Sequence, residues 1–329
     1  MISRRTFLKG SVASALGSAV ASTALAHTSG EHTPNAGKRL VFGYPPGASG
    51  SRLAEGCLPL LDAGYRLDNI DGRNTRAASD TVRNALPNGE TLLQVISSSL
   101  TLFPSIYKNL DFDPLIDFAP LALMGDFPYA LAVGPLVPRQ VTTLSQYVQW
   151  VADNPDARNV GISIYGSLGH LAVRILASET GAALRVQPYR STKAVIQDLT
   201  DRNLAAAFLA PGEGLSVDGS TPMRVLGVTS RQRLSHWSQL PSLAEQGVNN
   251  MDITGWFGWF APAATPPNIL QPLRERIALM QQKPAYAALQ QQLLLTPASP
   301  SPAQITARMR EEIQVYRKLV DTYRISKMD

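Results

Sequence analysis

Short apolar runs alternate along this chain with longer stretches whose apolar positions recur every three or four residues. The runs at 39–42, 91–96, 129–133, 160–164, 205–209 and 223–229 predict strands. The periodic stretches at 79–86, 143–153, 168–180 and 192–200 predict helices between them, and 268–282 and 302–323 read as two amphipathic helices near the C-terminus. In the stretch from 192, Thr192 stands as a cap with Ala194, Val195, Ile196 and Leu199 behind it. Strand and helix taking turns throughout predicts an α/β fold with mainly parallel sheets.

Two breaks divide this pattern. The proline-bounded segment 135–138 reads as a first crossing between domains, and 251–255 as a second, just before the aromatic run Trp256-Phe257-Gly258-Trp259-Phe260. One domain is therefore expected to be interrupted by the other, with 38–134 and 254–329 forming the first and 135–253 the second. Roughly 300 residues beyond the N-terminal segment suit two domains of ordinary size. No internal repeat or low-complexity region interrupts them.

Small polar loops follow several of the strands. After 39–42 comes Gly43-Tyr44-Pro45-Pro46-Gly47-Ala48-Ser49-Gly50-Ser51 and then a helix-like pattern. A stiff corner, small residues and a helix start form a natural anion cradle, because the first helical turn offers unpaired N–H groups and a positive dipole end. Ser97-Ser98-Ser99, the loop from Tyr165 through Gly166 and Ser167 to His170, and Tyr189-Arg190-Ser191-Thr192 occupy similar places. Each can be a plain helix cap; together they can converge on one cleft outside the carboxyl ends of the strands.

The first 26 residues read as an address. Ser3-Arg4-Arg5-Thr6-Phe7-Leu8-Lys9 forms a twin-arginine export signal, a mild apolar run follows, and Ala24-Leu25-Ala26 offers a small-x-small cleavage site. The run is short and rich in Ala, Ser and Gly, which weighs against a permanent membrane anchor. A soluble periplasmic protein with a tail at 27–37 is expected. Cleavage near Ala26 removes Arg4, Arg5 and Lys9, so the formal charge of +5 falls to +2. The basic balance thus gives no reason to expect nucleic acid. Cys57 is the single cysteine, which excludes an intrachain disulfide.

The sequence offers little to an enzyme. Gly47-Ala48-Ser49-Gly50-Ser51 departs from the G-x-S-x-G nucleophile elbow, and a hydrolase would need Ser49 or Ser167 to pair with His170. No Walker loop occurs, and Gly212-Glu213-Gly214 lacks the third glycine of a dinucleotide motif. Of the four histidines, His27 and His32 fall in the tail and His170 and His236 stand far apart, with no metal-ligand spacing. No catalytic residue, metal or cofactor is expected.

With these residues in view, the chain from about Lys38 onward resembles the Bug receptors, the extracytoplasmic solute-binding proteins of tripartite tricarboxylate transporters. Tyr44-Pro45-Pro46-Gly47-Ala48 matches that family's Y/F-P-P-G-G, and Pro87-Asn88-Gly89-Glu90-Thr91-Leu92-Leu93 its P-D-G-Y-T-L-L. Phe112-Asp113-Pro114 through Asp117-Phe118-Ala119-Pro120 matches Y-D-P-x-x-D-F-x-P. Further echoes follow in order: a Gly/Ser loop ending in His170-Leu171-Ala172, then Pro188-Tyr189-Arg190-Ser191, Val228-Thr229-Ser230, Leu240-Pro241 with Glu245 and Gly247, and the segment 256–266.

The resemblance implies a two-domain periplasmic-binding-protein fold with a hinge and an interdomain cleft that closes on a small organic anion. That anion is a mono-, di- or tricarboxylate, and the partners implied are membrane permease subunits or a sensor kinase, with the protein a monomer. Carried over residue by residue, the ligand is held by Tyr44, Pro46, Gly47, Ala48 and Ser49 in the first domain and by Tyr165, Gly166, Ser167 and His170 in the second. His170 has the alternative of packing structurally. Ser97, Ser98 and Arg190 complete the set from the loops after strands.

The departures concern charge. Gly50-Ser51 replaces the family's T-D or S-D, and a glycine-rich segment becomes 69–78, where Arg73 and Arg76 appear. If that loop borders the cleft, both guanidiniums add to the set and favour a more anionic ligand; otherwise they face water. The family's V-D-x-x-F-D becomes 204–209 without either acid. The leading expectation is a periplasmic receptor for a carboxylate, with a sensing receptor and a secreted α/β hydrolase as alternatives.

Overall fold

The computed structural model describes residues 37–210, 212, 213, 215 and 221–329. The expected signal peptide at 1–26 and all of the tail except Gly37 lie outside the described residues.

The chain begins with β1 (Arg39–Phe42), α1 (Ser49–Leu61), β2 (Arg66–Asn69), α2 (Arg76–Arg83), β3 (Thr91–Ile96), α3 (Ser98–Thr101), α4 (Phe103–Ile106) and β4 (Phe118–Pro128). It continues through β5 (Ala130–Val133), α5 (Leu144–Asp153), β6 (Asn159–Ile162), α6 (Leu168–Thr180), β7 (Arg185–Pro188), α7 (Thr192–Thr200), β8 (Ala206–Leu209) and β9 (Arg224–Val228). It ends with β10 (Thr254–Pro262), α8 (Pro267–Gln281), α9 (Pro284–Gln292) and α10 (Pro302–Thr322). Two five-stranded sheets result, ordered β2-β1-β3-β10-β4 and β7-β6-β8-β5-β9, and each with its helices makes one lobe.

Each sheet is mixed. β1 pairs in parallel with β2 and β3, and β6 with β7 and β8, as helix-returned strands must. The antiparallel pairings belong to β10 against β3 and β4, and to β5 against β8 and β9. β5 enters its sheet directly from β4 in the other one, and β10 returns from the second lobe to the first. The change of sheet therefore falls at Tyr129, earlier than the proline segment at 135–138, which follows β5. The local apolar run at 129–133 carries no mark of which sheet it will join.

The aromatic run belongs to β10, at the middle of the first sheet. Period-two alternation sends Trp256 and Phe260 to the side covered by α2 and α10, while Phe257, Trp259 and Ala261 face the main core. Gln94 on β3 links the layers: it accepts from Trp259 Nε1 at 2.9 Å and donates to the Gly50 carbonyl of α1 at 2.7 Å. On α10, Ile305, Met309, Ile313, Tyr316 and Val320 form the buried stripe, and Ser301 with Gln304 closes a capping box ahead of it. β2 and β7 are edge strands with little apolar content, and β4 contains Pro120, Gly125 and Pro128, so none announces itself as an apolar run.

Candidate functional site

The loops after β1, β6, β7 and β8 come together between the lobes. After β1, the Pro45-Pro46 corner turns the chain, and Gly47 takes φ +87°, a left-handed conformation that favours glycine. α1 then starts at Ser49, with Ala48 at its cap offering no side-chain hydrogen bond to the first N–H groups. The partner comes from across the cleft: the Ser49 N–H donates to Glu213 Oε1 at 2.8 Å. Arg52, one turn along α1, donates to the Gly212 carbonyl. Glu213 is 8% exposed, so a buried carboxylate sits on the positive end of a helix dipole.

The loop beneath is braced. Asn69 Nδ2 donates to the Tyr44 carbonyl at 2.7 Å and to Ser51 Oγ at 3.0 Å, and Ser51 Oγ donates to the Pro45 carbonyl at 3.2 Å. The Tyr44 ring stacks on Phe42 with centroids 5.0 Å apart. Burial, then the neighbouring Tyr129 and the Glu213 carboxylate, hold the Tyr44 hydroxyl protonated far above its ordinary range. Gly50 packs so closely that a Cβ would stand 2.3 Å from Phe42 Cζ.

A cavity of about 370 Å³ opens here. From the first lobe it is lined by the segment 44–48 and Arg52; from the second by Ser163, the segment 190–193, Ile196 and Glu213. α7 begins at its rim, where Ser191 Oγ accepts the Ala194 N–H at 3.2 Å. Two helix N-termini and three cations, Arg52, Arg190 and Lys193, thus face one volume against a single acid, Glu213. Such an arrangement attracts an anion.

Of the expected ligand-binding residues, Tyr44, Pro46, Gly47, Ala48 and Arg190 line this cavity, and Ser49 lines a smaller void beside it. The second-lobe loop is used differently. Ser167 Oγ caps α6 by accepting the His170 N–H at 3.2 Å, and the Gly166 N–H donates to His170 Nδ1, also at 3.2 Å. Burial, then nearby Arg174, lowers the His170 pKa to about 4, so the ring is neutral with its proton on Nε2. Gly166 takes φ +85°, and a Cβ there would stand 2.4 Å from Ile106 Cδ1 of the first lobe. Tyr165 and His170, with ring centroids 4.2 Å apart, line another cavity.

Ser97 and Ser98 are buried. Ser97 serves the backbone, accepting the Trp256 N–H on its hydroxyl at 3.3 Å while its own N–H reaches the Trp256 carbonyl. Arg73 and Arg76 do not line the cleft cavity. Arg73 pairs with Asp80 and Asp111; Arg76 reaches Asp111 at 3.4 Å and lies over the Tyr107 ring at 4.1 Å. The acids that pair with them are 38 or fewer positions away along the chain.

Arg73, Asn74 and Thr75, the last two where the family resemblance expects glycines, take φ values of 48°, 57° and 72°. Left-handed backbone at three non-glycine residues costs on the order of 1–2 kcal/mol each. Asn74 offsets this by donating to Tyr107 Oη at 2.8 Å and, across the lobes, to the Tyr165 carbonyl at 2.7 Å, while the Thr75 and Ser99 hydroxyls share a bond of 2.9 Å.

Glu213, Arg52, Ser163, Thr192 and Lys193 join the site without having been singled out for ligand binding. Glu213 stood in view only as part of a failed glycine motif. It places a carboxylate at the start of α1, whose own first turn has no acid. Among the described residues no cluster of His, Cys, Asp and Glu is placed to hold a metal ion, and no helix is long and apolar enough to cross a membrane.

A family model described as the tripartite tricarboxylate transporter family receptor matches residues 53–324. The Bordetella pertussis protein BugT is 27% identical over 293 residues, covering 86% of this chain and 87% of BugT. Among solved structures, Rpa4515 of Rhodopseudomonas palustris with adipate superposes with a TM-score of 0.83 at 23% identity, covering 90% of this chain and 99% of that one. MatC from Rhodopseudomonas palustris with bound malate gives 0.79 at 19% identity, covering 88% and 100%. The two lobes are those of a two-domain periplasmic-binding-protein fold.

Proposed function

Because the chain belongs to the tripartite tricarboxylate transporter receptor family, a family of binding receptors rather than enzymes, we propose that it captures a dicarboxylate-class organic anion in the periplasm and delivers it to membrane permease subunits. The protein acts as a monomer, exported through the twin-arginine signal and cleaved near Ala26. The observation that carries this reading is the cavity of about 370 Å³ faced by the starts of α1 and α7 and by Arg52, Arg190 and Lys193. Its size suits a small ligand held by a few polar groups. Adipate and malate, named for two structures of the same fold, are both dicarboxylates.

The hydrolase alternative lacks its parts. The His170 ring nitrogen Nδ1 is engaged by the Gly166 N–H, and Ser167 Oγ meets the His170 backbone rather than its ring.

Glu213 refines the reading. Its carboxylate sits on the Ser49 N–H, where a ligand carboxylate would find the helix dipole. A ligand either displaces it or binds beside it, held by Arg190 and Lys193. Titration calorimetry with mono-, di- and tricarboxylates tests the proposal. A dicarboxylate is expected to bind best, Arg190→Ala to weaken it at least about tenfold, and Glu213→Gln to tighten it by up to about tenfold, or ~1.4 kcal/mol. Absence of any heat or thermal shift across the panel at millimolar concentration would remove the reading.

A further inference from the structure

A cavity of about 500 Å³ lies along the flank of the second lobe, and four arginines line it. Arg158 precedes β6, Arg185 opens the edge strand β7, Arg174 stands on α6 and Arg324 follows α10. The wall therefore combines second-lobe groups with the C-terminal segment, which α10 and the Met328–Tyr107 bridge tie to the first lobe. No carboxylate lines it.

None of the four arginines joins an ion pair among the described residues, although other arginines here, such as Arg39, Arg233 and Arg308, find acid partners. Arg174 Nη2 donates to the Tyr323 carbonyl at 3.3 Å. The side chains of Arg158, Arg185 and Arg324 donate to no described residue. His170 lines the same cavity in its neutral form, with Nε2–H as the ring's donor.

Four like charges around one concave volume, with no internal counter-charge, focus a positive potential. Guanidinium forks meet oxyanions through paired N–H donors, so each oxygen-rich face of a ligand can be gripped by more than one arginine. A dicarboxylate neutralises half of the lining charge; a compact anion carrying three or more charges neutralises most of it. We propose that this cavity is a second binding site, separate from the cleft, for a compact oxyanion of three or more negative charges, of the diphosphate or tricarboxylate class. The site selects by charge count and by bidentate geometry.

The test uses the purified protein in titration calorimetry with pyrophosphate and with citrate, and with adipate as the doubly charged comparison. Pyrophosphate and citrate are expected to bind saturably, with affinity falling steeply between 50 and 500 mM salt as screening grows. The double variant Arg158→Ala/Arg185→Ala, both exposed positions, is expected to lose at least about tenfold for these two probes. Adipate binding in the cleft should be the same in variant and wild type, which separates this site from the cleft reading. Circular dichroism and the melting temperature establish that the variant is folded. No saturable binding of pyrophosphate or citrate at 1 mM, or unchanged binding in the folded double variant, would overturn the proposal and leave the arginines as charges that keep the edge strand β7 from pairing.

Discussion

His170 serves the backbone with one ring nitrogen while lining a cavity: the ring accepts the Gly166 N–H and supports the start of α6. Its unfolded pKa is near 6.5, and burial brings the folded value to about 4. Between these values the unfolded chain binds more protons, so stability climbs with pH, is fully present above about 6.5, and is lost as pH falls toward 4. The whole effect amounts to roughly 3 kcal/mol. In urea melts from pH 4.5 to 7, His170→Gln should flatten this slope while costing about 1 kcal/mol at neutral pH; parallel slopes in the two proteins would reject the assignment. Cys57 is likewise settled by burial, which pushes its thiol up to about 12 and leaves it unreactive in the core. The Tyr44 loop was legible because strand, Pro-Pro, glycine and helix start are adjacent in sequence. Glu213 was not, because its partner Ser49 is 164 positions away.

Among elements, α1 depends most on its neighbours. Its start lacks both a capping side chain and an acid in the first turn, so its position is set by what it packs against. Gly50 admits Phe42 and Phe257 into close contact, and Gln94 bonds the Gly50 carbonyl on one side and Trp259 on the other. Replacing Gln94 by Leu leaves a buried carbonyl and a buried indole N–H unpaired, and a loss of about 2–4 kcal/mol is expected in equilibrium denaturation. A loss below about 0.5 kcal/mol would show that other groups satisfy them. The helices with clear periodicity were legible to within a few residues, as Thr143 and Ser167 show by capping α5 and α6. β4 and β10 were not, since proline, glycine and aromatic residues disguise them and only pairing with distant strands makes them extended.

The two lobes share one apolar core cluster, and polar links add to it at the cleft. Ser49 to Glu213 and Arg52 to Gly212 join α1 to a second-lobe loop, and Asn74 to Tyr165 joins loops of different lobes. Two-lobed folds of this kind open and close on hinges, so these links set the balance between the two forms. Arg52→Ala with Asn74→Ala should raise the radius of gyration in small-angle scattering, leave the far-ultraviolet circular dichroism unchanged, and recover compactness when a dicarboxylate is added. An unchanged radius would assign closure to other contacts.

The sequence by itself determined the class of the fold and the strand, Pro-Pro corner and helix start that line one side of the cavity, because each rests on residues close together along the chain. The anion cradle from Tyr44 to Ser49 belongs to that part. Tertiary structure alone decided what faces the cradle. It brought Glu213 onto the Ser49 N–H, set Arg52 and Lys193 around one cavity, gave Arg73 and Arg76 to Asp80 and Asp111, and moved Tyr165 and His170 to a different cavity. The reason is physical: a charge's role depends on the partners within a few ångströms and on the water removed around it, and both are fixed only when the two sheets pack.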